Sequence, residues 1–146
     1  QLHWEGRMER IGAHITVDGA HNPGAMQAFV ESVKALDESE RGEMILLFSA
    51  VSDKKYDEMI ECLCGNLDVK AYIVTQIEDE RGVPVEELAD IFRRYTDRPV
   101  YCKERLEDAV GTALDKRGES GEIYCLGSLY LVGMIKKLLA GGAIDA

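Results

Sequence analysis

The sequence predicts an α/β fold in three layers, with helices on both faces of a mostly parallel sheet of about six strands. Strand-like and helix-like segments alternate five times along the 146 residues, at intervals near the ~30 residues of a strand–helix–strand unit. One strand-like run, residues 44–50, is almost wholly apolar, as expected for a strand covered on both faces. Helices that connect parallel strands by right-handed crossovers cover both faces of the sheet.

The first part of the chain contains the clearest strand-to-helix junction. The β-branched residues within 13–17 predict a strand, and a shorter strand is expected at residues 8–11. Apolar residues then recur three or four positions apart over residues 24–37, which is the spacing of a helix with one buried face. Asn22 and Pro23 stand before this run, and these residue types favour the cap and the first position of a helix.

The remaining segments are assigned by the same two patterns. Runs of apolar and β-branched residues predict strands, and apolar residues at helical spacing predict helices. In chain order the sequence predicts a strand at 44–50, a helix at 54–64, a strand at 69–75, a polar loop at 76–83, a helix opened by Pro84, a strand at 100–103, a helix at 104–116, a strand at 123–126 and a last helix after Ser128. No linker or repeat divides the chain, so residues 1–146 are predicted to form one domain, with a frayed tail at 141–146.

Composition and charge exclude several classes of protein. The chain has 46% hydrophobic and 30% charged residues, which is typical of a globular protein, and its net charge of −10 argues against a nucleic-acid-binding face. No apolar run approaches the ~20 residues that span a bilayer, and no secretory leader is recognised, so a cytoplasmic location without membrane contact is expected.

The four cysteines are expected to be reduced. Cys62 and Cys64 would point about 200° apart on a helix, so no metal site is predicted.

The stretch at residues 15–24 is the strongest candidate for a functional site. It predicts a strand, a polar turn and a helix start, a junction that lies at the carboxyl end of the strand, where ligands bind in parallel sheets. Asp18 is placed to accept hydrogen bonds from a ribose, or only to shape the turn. His21 is placed to orient a carboxylate or a phosphate, or only to neighbour the helix cap. Asn22 is most simply the cap itself.

Other polar residues follow the ends of predicted strands. Ser128 stands at a second strand-to-helix turn, where it either joins an anion site or caps the last helix. Asp53 and Lys54 follow the apolar strand, and a cap with a surface lysine is the simplest interpretation. Arg7 either meets a phosphate or a base, or is a solvated charge. No phosphate-binding loop, nucleophile elbow or dinucleotide-binding glycine fingerprint is present, so a phosphate cradle is expected from elsewhere.

Three landmarks give the chain a resemblance to a known family. They are Trp-Glu-Gly-Arg-Met-Glu at residues 4–9, Val-Asp-Gly-Ala-His-Asn-Pro at residues 17–23 and Gly-Ser-Leu-Tyr-Leu-Val-Gly at residues 127–133. In this order they resemble the carboxyl-terminal domain of folylpolyglutamate synthase, whose relatives are the bifunctional dihydrofolate synthases and the wider Mur ligase superfamily. The resemblance implies a Rossmann-like domain of the Mur ligase C-terminal type.

The same resemblance implies an activity and a role for four residues. The family consists of ATP-dependent ligases that add L-glutamate to the γ-carboxyl of a folate through an acyl phosphate. Arg7 and Asp18 match an arginine and an aspartate that bind ATP. His21 matches a histidine near the incoming glutamate and the phosphate, which implies a catalytic role, and Ser128 matches a serine on the glutamate side of the cleft. Arg81 matches an arginine of the relatives only loosely.

The resemblance also implies a partner domain. The family's phosphate loop, Mg²⁺ ligands and modified lysine belong to an amino-terminal ATPase domain, and none of them is present here. The chain begins with Gln1 and its first dozen residues look like the middle of a protein. A domain excised from a longer chain is therefore expected, inactive alone, with the Mg²⁺ ligands in the missing domain and a monomeric complete enzyme.

Other functions stay open on the sequence. One is a different amino-acid ligase of the Mur group with another acceptor. Another is a stand-alone nucleotide-binding α/β module with no reaction of its own. A nicotinamide-dependent oxidoreductase is disfavoured because the glycine fingerprint is absent after Val17. The ligase interpretation requires Asp18, His21 and Ser128 to converge on a single rim.

Overall fold

A computed structural model describes residues 7–37, 39 and 42–142. Within these ranges the centre is a sheet of six strands in the order β1-β2-β6-β3-β4-β5. The strands are β1 (Glu9–Arg10), β2 (Ile15–Val17), β3 (Glu43–Phe48), β4 (Val69–Val74), β5 (Val100–Cys102) and β6 (Gly121–Leu126). Strands β2 to β6 are parallel and β1 is antiparallel to β2, so the prediction of a mostly parallel sheet is confirmed.

Five helices over the described ranges cover the two faces of this sheet. They are α1 (Pro23–Ala35), α2 (Tyr56–Asn66), α3 (Val85–Tyr95), α4 (Leu106–Lys116) and α5 (Leu129–Ala140). Helices α1, α2 and α3 pack on one face, and α4 and α5 pack on the other, which confirms the three layers. Among the described residues, no helix combines the length and the apolar character needed to cross a membrane.

The central strand β3 explains the apolar run in the sequence. Leu46 and Phe48 lie in the core under α1 to α3, while Ile45 and Leu47 lie in the core under α4 and α5. All four side chains are fully buried, because successive residues of a strand point to opposite faces and both faces are covered here. Phe48 packs edge-on against Phe92 of α3, with ring centres 5.4 Å apart.

Some element boundaries differ from the prediction by two residues. β2 begins at Ile15, because its pairing with β6 begins at Ile123 and the residues before it form a turn onto the Ile15 carbonyl oxygen. α2 begins at Tyr56, because the Lys54 N–H donates to the carbonyl oxygen of Val51 in a turn. Residues 4–6 of the first landmark and residues 143–146 of the predicted frayed tail lie outside the described residues.

The parallel arrangement places several loops at one edge of the sheet. The loops that follow β2, β6, β3 and β4 emerge side by side, because these strands are parallel and adjacent in that order. We refer to this edge as the carboxyl edge. The site residues predicted from the sequence, other than Arg7, lie in the turns at this edge.

Candidate functional site

Asp18 follows β2 directly and is held by the backbone on both sides. The residue is 5% exposed, and its two carboxylate oxygens accept the N–H of Ala20 at 2.9 Å and the N–H of Met8 at 3.1 Å. Burial raises the pKa of Asp18 above its ordinary value, while these two hydrogen bonds and the charge of Arg7 oppose the rise. Asp18 therefore shapes its turn, as one interpretation predicts, and fixes a carboxylate at the end of the strand.

Arg7 is placed beside Asp18 by an unusual turn. Met8, which follows it, has a φ of +45°, in the left-handed region that residues other than glycine rarely adopt. The exposed Arg7 and the buried Asp18 line one recess of about 270 Å³. We call it the Asp18 recess, and its lining also includes Gly19, Ala20, His21, Ala25, Ala28, Phe29 and Leu129.

His21 stands immediately before α1, held by a backbone contact. Its Nδ1 lies 2.8 Å from the carbonyl oxygen of Gly19. Because a carbonyl only accepts, Nδ1 carries the proton, and Nε2 is the acceptor of the neutral ring. Asn22 caps α1 by accepting the N–H of Ala25 at 2.8 Å, with Pro23 at the first helical position, as predicted. The cap thus leaves the imidazole of His21 available at the edge.

Ser128 caps the last helix and is 2% exposed. Its hydroxyl oxygen accepts the N–H of Tyr130 at 3.0 Å, which is the capping interpretation of this residue. The preceding Gly127 has a φ of +113°, and a Cβ at this position would lie 2.1 Å from the carbonyl oxygen of Ser49. Glycine is therefore needed here for the β6 loop to approach the end of β3.

Backbone hydrogen bonds join the loops that carry these residues. The Asp18 N–H donates to the carbonyl oxygen of Cys125 in β6, at 2.9 Å. The Gly127 N–H donates to the carbonyl oxygen of Ala20, at 3.0 Å. The structure thus brings Asp18, His21 and Ser128 to one rim, which is the convergence that the ligase interpretation requires.

A second recess, of about 200 Å³, lies beside the first and shares His21 and Leu129 with it. We call it the Arg81 recess. Besides these two, it is lined by Val51, Asp53, Lys54, Arg81, Ser128 and Tyr130. The loop after β4 reaches it because Val51 and Gly82 form an isolated β-bridge and the Ser52 N–H donates to the Arg81 carbonyl oxygen at 2.7 Å.

Arg81 is the residue of this recess that the sequence indicated least clearly. Its Nη2 donates to the Tyr130 hydroxyl at 2.6 Å, its Nε lies 3.3 Å from Asp79 Oδ1, and its Nη1 lies 3.8 Å from Asp53 Oδ2. The Arg81 N–H and guanidinium hold the pKa of Asp79 below its ordinary value. The usable signal in the sequence was the polar loop that follows β4, since β4 neighbours β3 at the same edge.

Two apolar side chains are exposed at the mouths of the recesses. Leu129 is 59% exposed and Tyr130 is 50% exposed, and both belong to the first turn of α5.

Over residues 7–37, 39 and 42–142, no three His, Cys, Asp or Glu side chains are grouped as a metal site requires. The four cysteines are free thiols.

Another cavity lies away from these residues, at the opposite edge of the sheet. It measures about 630 Å³ and is lined in part by Glu43, Asp68, Lys70 and Arg98. Lys70 pairs with Glu43 at 3.2 Å and Arg98 with Asp68 at 3.0 Å, so these charges compensate one another. None of the residues predicted for the site lines it, and we assign it no function.

Comparison with curated proteins gives two informative relatives. A probable bifunctional folylpolyglutamate synthase/dihydropteroate synthase of Haloferax volcanii is 32% identical over 132 residues, which are 89% of this chain and 15% of that protein. A folylpolyglutamate synthase of Lacticaseibacillus casei is 26% identical over 142 residues, which are 96% of this chain and 31% of that protein. The chain thus spans less than a third of the length of these relatives.

Solved structures share the fold. A folylpolyglutamate synthase of Mycobacterium tuberculosis complexed with ADP gives a TM-score of 0.79 at 24% identity, over 91% of this chain and 32% of that one. FolC of E. coli in complex with DHPP and ADP gives 0.82 at 18% identity, over 95% and 32%. A bifunctional folylpolyglutamate synthase/dihydrofolate synthase of Yersinia pestis complexed with AMPPNP and Mn ion gives 0.76 at 19% identity, over 94% and 32%.

A family model provides the assignment. The model described as Mur ligase, glutamate ligase domain, matches residues 6–129, which include the complete second landmark and the first three residues of the third. The resemblance found in the sequence is confirmed by this match and by the names of the curated relatives. This chain therefore belongs to the Mur ligase family, as a glutamate ligase domain.

Proposed function

We propose that this domain is the carboxyl-terminal part of an ATP-dependent ligase that adds L-glutamate to a folate. The observation that carries the proposal is the convergence of Asp18, His21 and Ser128 on one rim of the carboxyl edge. Lys54 and Arg81 add cations to this rim in a chain whose net charge is −10, which suits anionic substrates. The names of the relatives support the same activity.

The Asp18 recess fits the outer part of a bound ATP. The Asp18 carboxylate is fixed by two backbone N–H groups and keeps lone pairs with which to accept hydrogen bonds from ribose hydroxyls. Ala28 and Phe29 give the recess an apolar wall for a planar base, and Arg7 supplies a positive charge. ATP supplies the phosphoryl group that activates the acceptor carboxylate, while the residues of this recess bind and orient it.

The Arg81 recess fits the incoming glutamate. Glutamate carries two carboxylates, and among the described residues Lys54 and Arg81 bring two cations to the recess. Ser128 keeps acceptor capacity and a hydroxyl proton at the start of α5. His21 lines both recesses, and its Nδ1 is engaged by the Gly19 carbonyl oxygen. We therefore assign its other ring nitrogen, Nε2, the amino group of glutamate, which it orients and from which it accepts a proton.

Among the described residues, no three His, Cys, Asp or Glu side chains are grouped to hold a metal ion. Following the family resemblance, we propose that the Mg²⁺ ligands and the remaining phosphate contacts belong to an amino-terminal ATPase domain of the same enzyme, and that this domain is inactive alone. The folate acceptor belongs to the same proposal. A monomeric enzyme in the cytoplasm stays a prediction.

The test measures steady-state kinetics of the full-length natural protein with ATP, L-glutamate and a tetrahydrofolate. We expect Asp18→Ala, and Asp18→Asn with its closer shape, to raise the KM for ATP about tenfold or more, and His21→Ala to lower kcat about a hundredfold. Asp68→Ala, an exposed aspartate at the opposite edge, is the matched control and keeps wild-type kinetics. Unchanged kinetics in both the Asp18 and the His21 variants would contradict the proposed site.

The acceptor is tested separately, because the family model covers Mur ligases in general. The full-length protein is assayed with a tetrahydrofolate, a dihydropteroate and a peptidoglycan precursor as alternative acceptors. Glutamate addition to the folate supports the proposal. Activity with the peptidoglycan precursor alone would instead assign the domain to another amino-acid ligase of the Mur group.

A further inference from the structure

The contact between Arg81 and Tyr130 links two loops across the mouth of the Arg81 recess. Arg81 Nη2 donates to the Tyr130 hydroxyl at 2.6 Å, and the guanidinium carbon lies 5.5 Å from the centre of the tyrosine ring. Tyr130 belongs to the first turn of α5, whereas Arg81 follows β4. Although Tyr130 is 50% exposed, its hydroxyl is therefore engaged in a specific contact.

Two carboxylates compete for the same guanidinium. Asp79 lies 3.3 Å from Arg81 Nε and Asp53 lies 3.8 Å from Nη1. Asp79 belongs to the loop of Arg81 itself, and Asp53 belongs to the loop after β3, so neither carboxylate ties the guanidinium to α5. The Tyr130 hydroxyl provides that tie, and because it is neutral it adds no further negative charge beside Arg81.

The guanidinium is thereby held beside the groups proposed to bind glutamate. His21, Lys54 and Ser128 line the same recess as Arg81 and Tyr130. A guanidinium is planar and matches a carboxylate with two parallel hydrogen bonds, but only in a fixed orientation. An exposed arginine without such a tie samples many rotamers, and ordering it on binding would weaken affinity.

We propose that Tyr130 is a positioning residue for the amino-acid substrate: its hydroxyl orients Arg81 so that the guanidinium binds a carboxylate of the incoming glutamate. This proposal rests on the proposed function, because it takes glutamate as the ligand of the Arg81 recess. Tyr130 acts through Arg81 and does not touch the reacting atoms. Its effect belongs to the KM for glutamate and not to kcat.

The test uses the full-length natural protein and compares Tyr130→Phe, Arg81→Ala and the double variant. Tyr130→Phe keeps the ring and removes only the hydroxyl, so we expect it to raise the KM for L-glutamate about fivefold, with kcat and the KM for ATP within twofold of wild type. Arg81→Ala is expected to raise the same KM more. The double variant is expected to match Arg81→Ala, because the hydroxyl has no role once the guanidinium is gone.

Tyr101→Phe is the matched control. Tyr101 also faces a cation, with Lys116 Nζ 4.8 Å from its ring centre. It lies in the edge strand β5, away from the Arg81 recess, so we expect this variant to keep the wild-type KM for L-glutamate. An unchanged KM in Tyr130→Phe would overturn the proposal, and so would an equal rise from Tyr130→Phe in the presence and absence of Arg81. Failure of the proposed function gives a different result, namely unchanged kinetics in Asp18→Ala and His21→Ala.

Discussion

The two recesses of the carboxyl edge are held together in different ways. In the Asp18 recess the aspartate is 5% exposed as a residue, and its carboxylate is bound by the backbone N–H groups of Met8 and Ala20. In the Arg81 recess the guanidinium lies at the surface and is bound through side chains, those of Tyr130 and Asp79 above all. The charged group of the Asp18 recess is thus fixed by the backbone, whereas the charged group of the Arg81 recess is fixed by other side chains.

This difference predicts which substitutions alter the fold and which alter binding. A buried group with backbone partners leaves those partners unsatisfied when it is removed, which lowers the free energy of unfolding. An exposed ion pair adds little to stability because water screens it, so its loss is felt only when a ligand needs the charge. Stability measurements on paired variants of the 146-residue chain therefore test the distinction.

The largest effect is expected at Gly127, where the loops of the two recesses meet. Gly127→Ala places a Cβ 2.1 Å from the Ser49 carbonyl oxygen and 2.9 Å from the Phe48 ring, at a φ of +113° that other residues rarely adopt. Strain and backbone displacement together are expected to lower the free energy of unfolding by about 3 kcal/mol or more. Urea denaturation followed by circular dichroism measures the loss.

Gly133→Ala is the control for this substitution. Gly133 lies within α5, and a Cβ there meets nothing within 4 Å. Alanine in a helix is favoured over glycine by about 1 kcal/mol, so Gly133→Ala is expected to stabilise the chain slightly. Equal effects of the two substitutions would show that the close approach at Gly127 does not hold the edge together.

A smaller effect separates two aspartates, Asp18 in the Asp18 recess and Asp79, which contacts Arg81 of the other recess. Asp18→Ala leaves the N–H groups of Met8 and Ala20 without their partner, and we expect it to lower the free energy of unfolding by about 2 kcal/mol. Asp79→Ala removes an exposed carboxylate that accepts the Arg81 backbone N–H at 2.8 Å. Water screens this site and can satisfy the freed N–H, so we expect a smaller loss than in Asp18→Ala. A loss at Asp79 as large as that at Asp18 would contradict the distinction between the recesses.

The sequence predicted the Asp18 recess better than the Arg81 recess, and the reason is physical. Asp18 and His21 belong to one strand, turn and helix start, so local patterns place them together at the end of β2. The cap at Asn22 and the apolar β3 were predicted for the same reason: periodicity and capping are properties of neighbouring residues.

The order of the strands could not be predicted, and the Arg81 recess depends on it. Arg81 meets Tyr130 only because β6 lies between β2 and β3 and because Val51 pairs with Gly82. These contacts join residues far apart in the chain, and no local pattern encodes them. The left-handed φ of Met8 was also missed, since methionine carries no signal for that conformation.

The smallest expected effect compares two buried serines on the carboxyl edge. Ser128 caps α5, so Ser128→Ala is expected to lower the free energy of unfolding by about 1 kcal/mol. Ser49 is fully buried at the end of β3, and among the described residues its hydroxyl has no hydrogen-bond partner. Ser49→Ala removes an unsatisfied polar group, so we expect stability equal to wild type or up to about 1 kcal/mol higher. Urea denaturation of the same chain measures both free energies of unfolding. If Ser49→Ala lowers the free energy of unfolding as much as Ser128→Ala does, the Ser49 hydroxyl makes a stabilising hydrogen bond and the prediction is wrong.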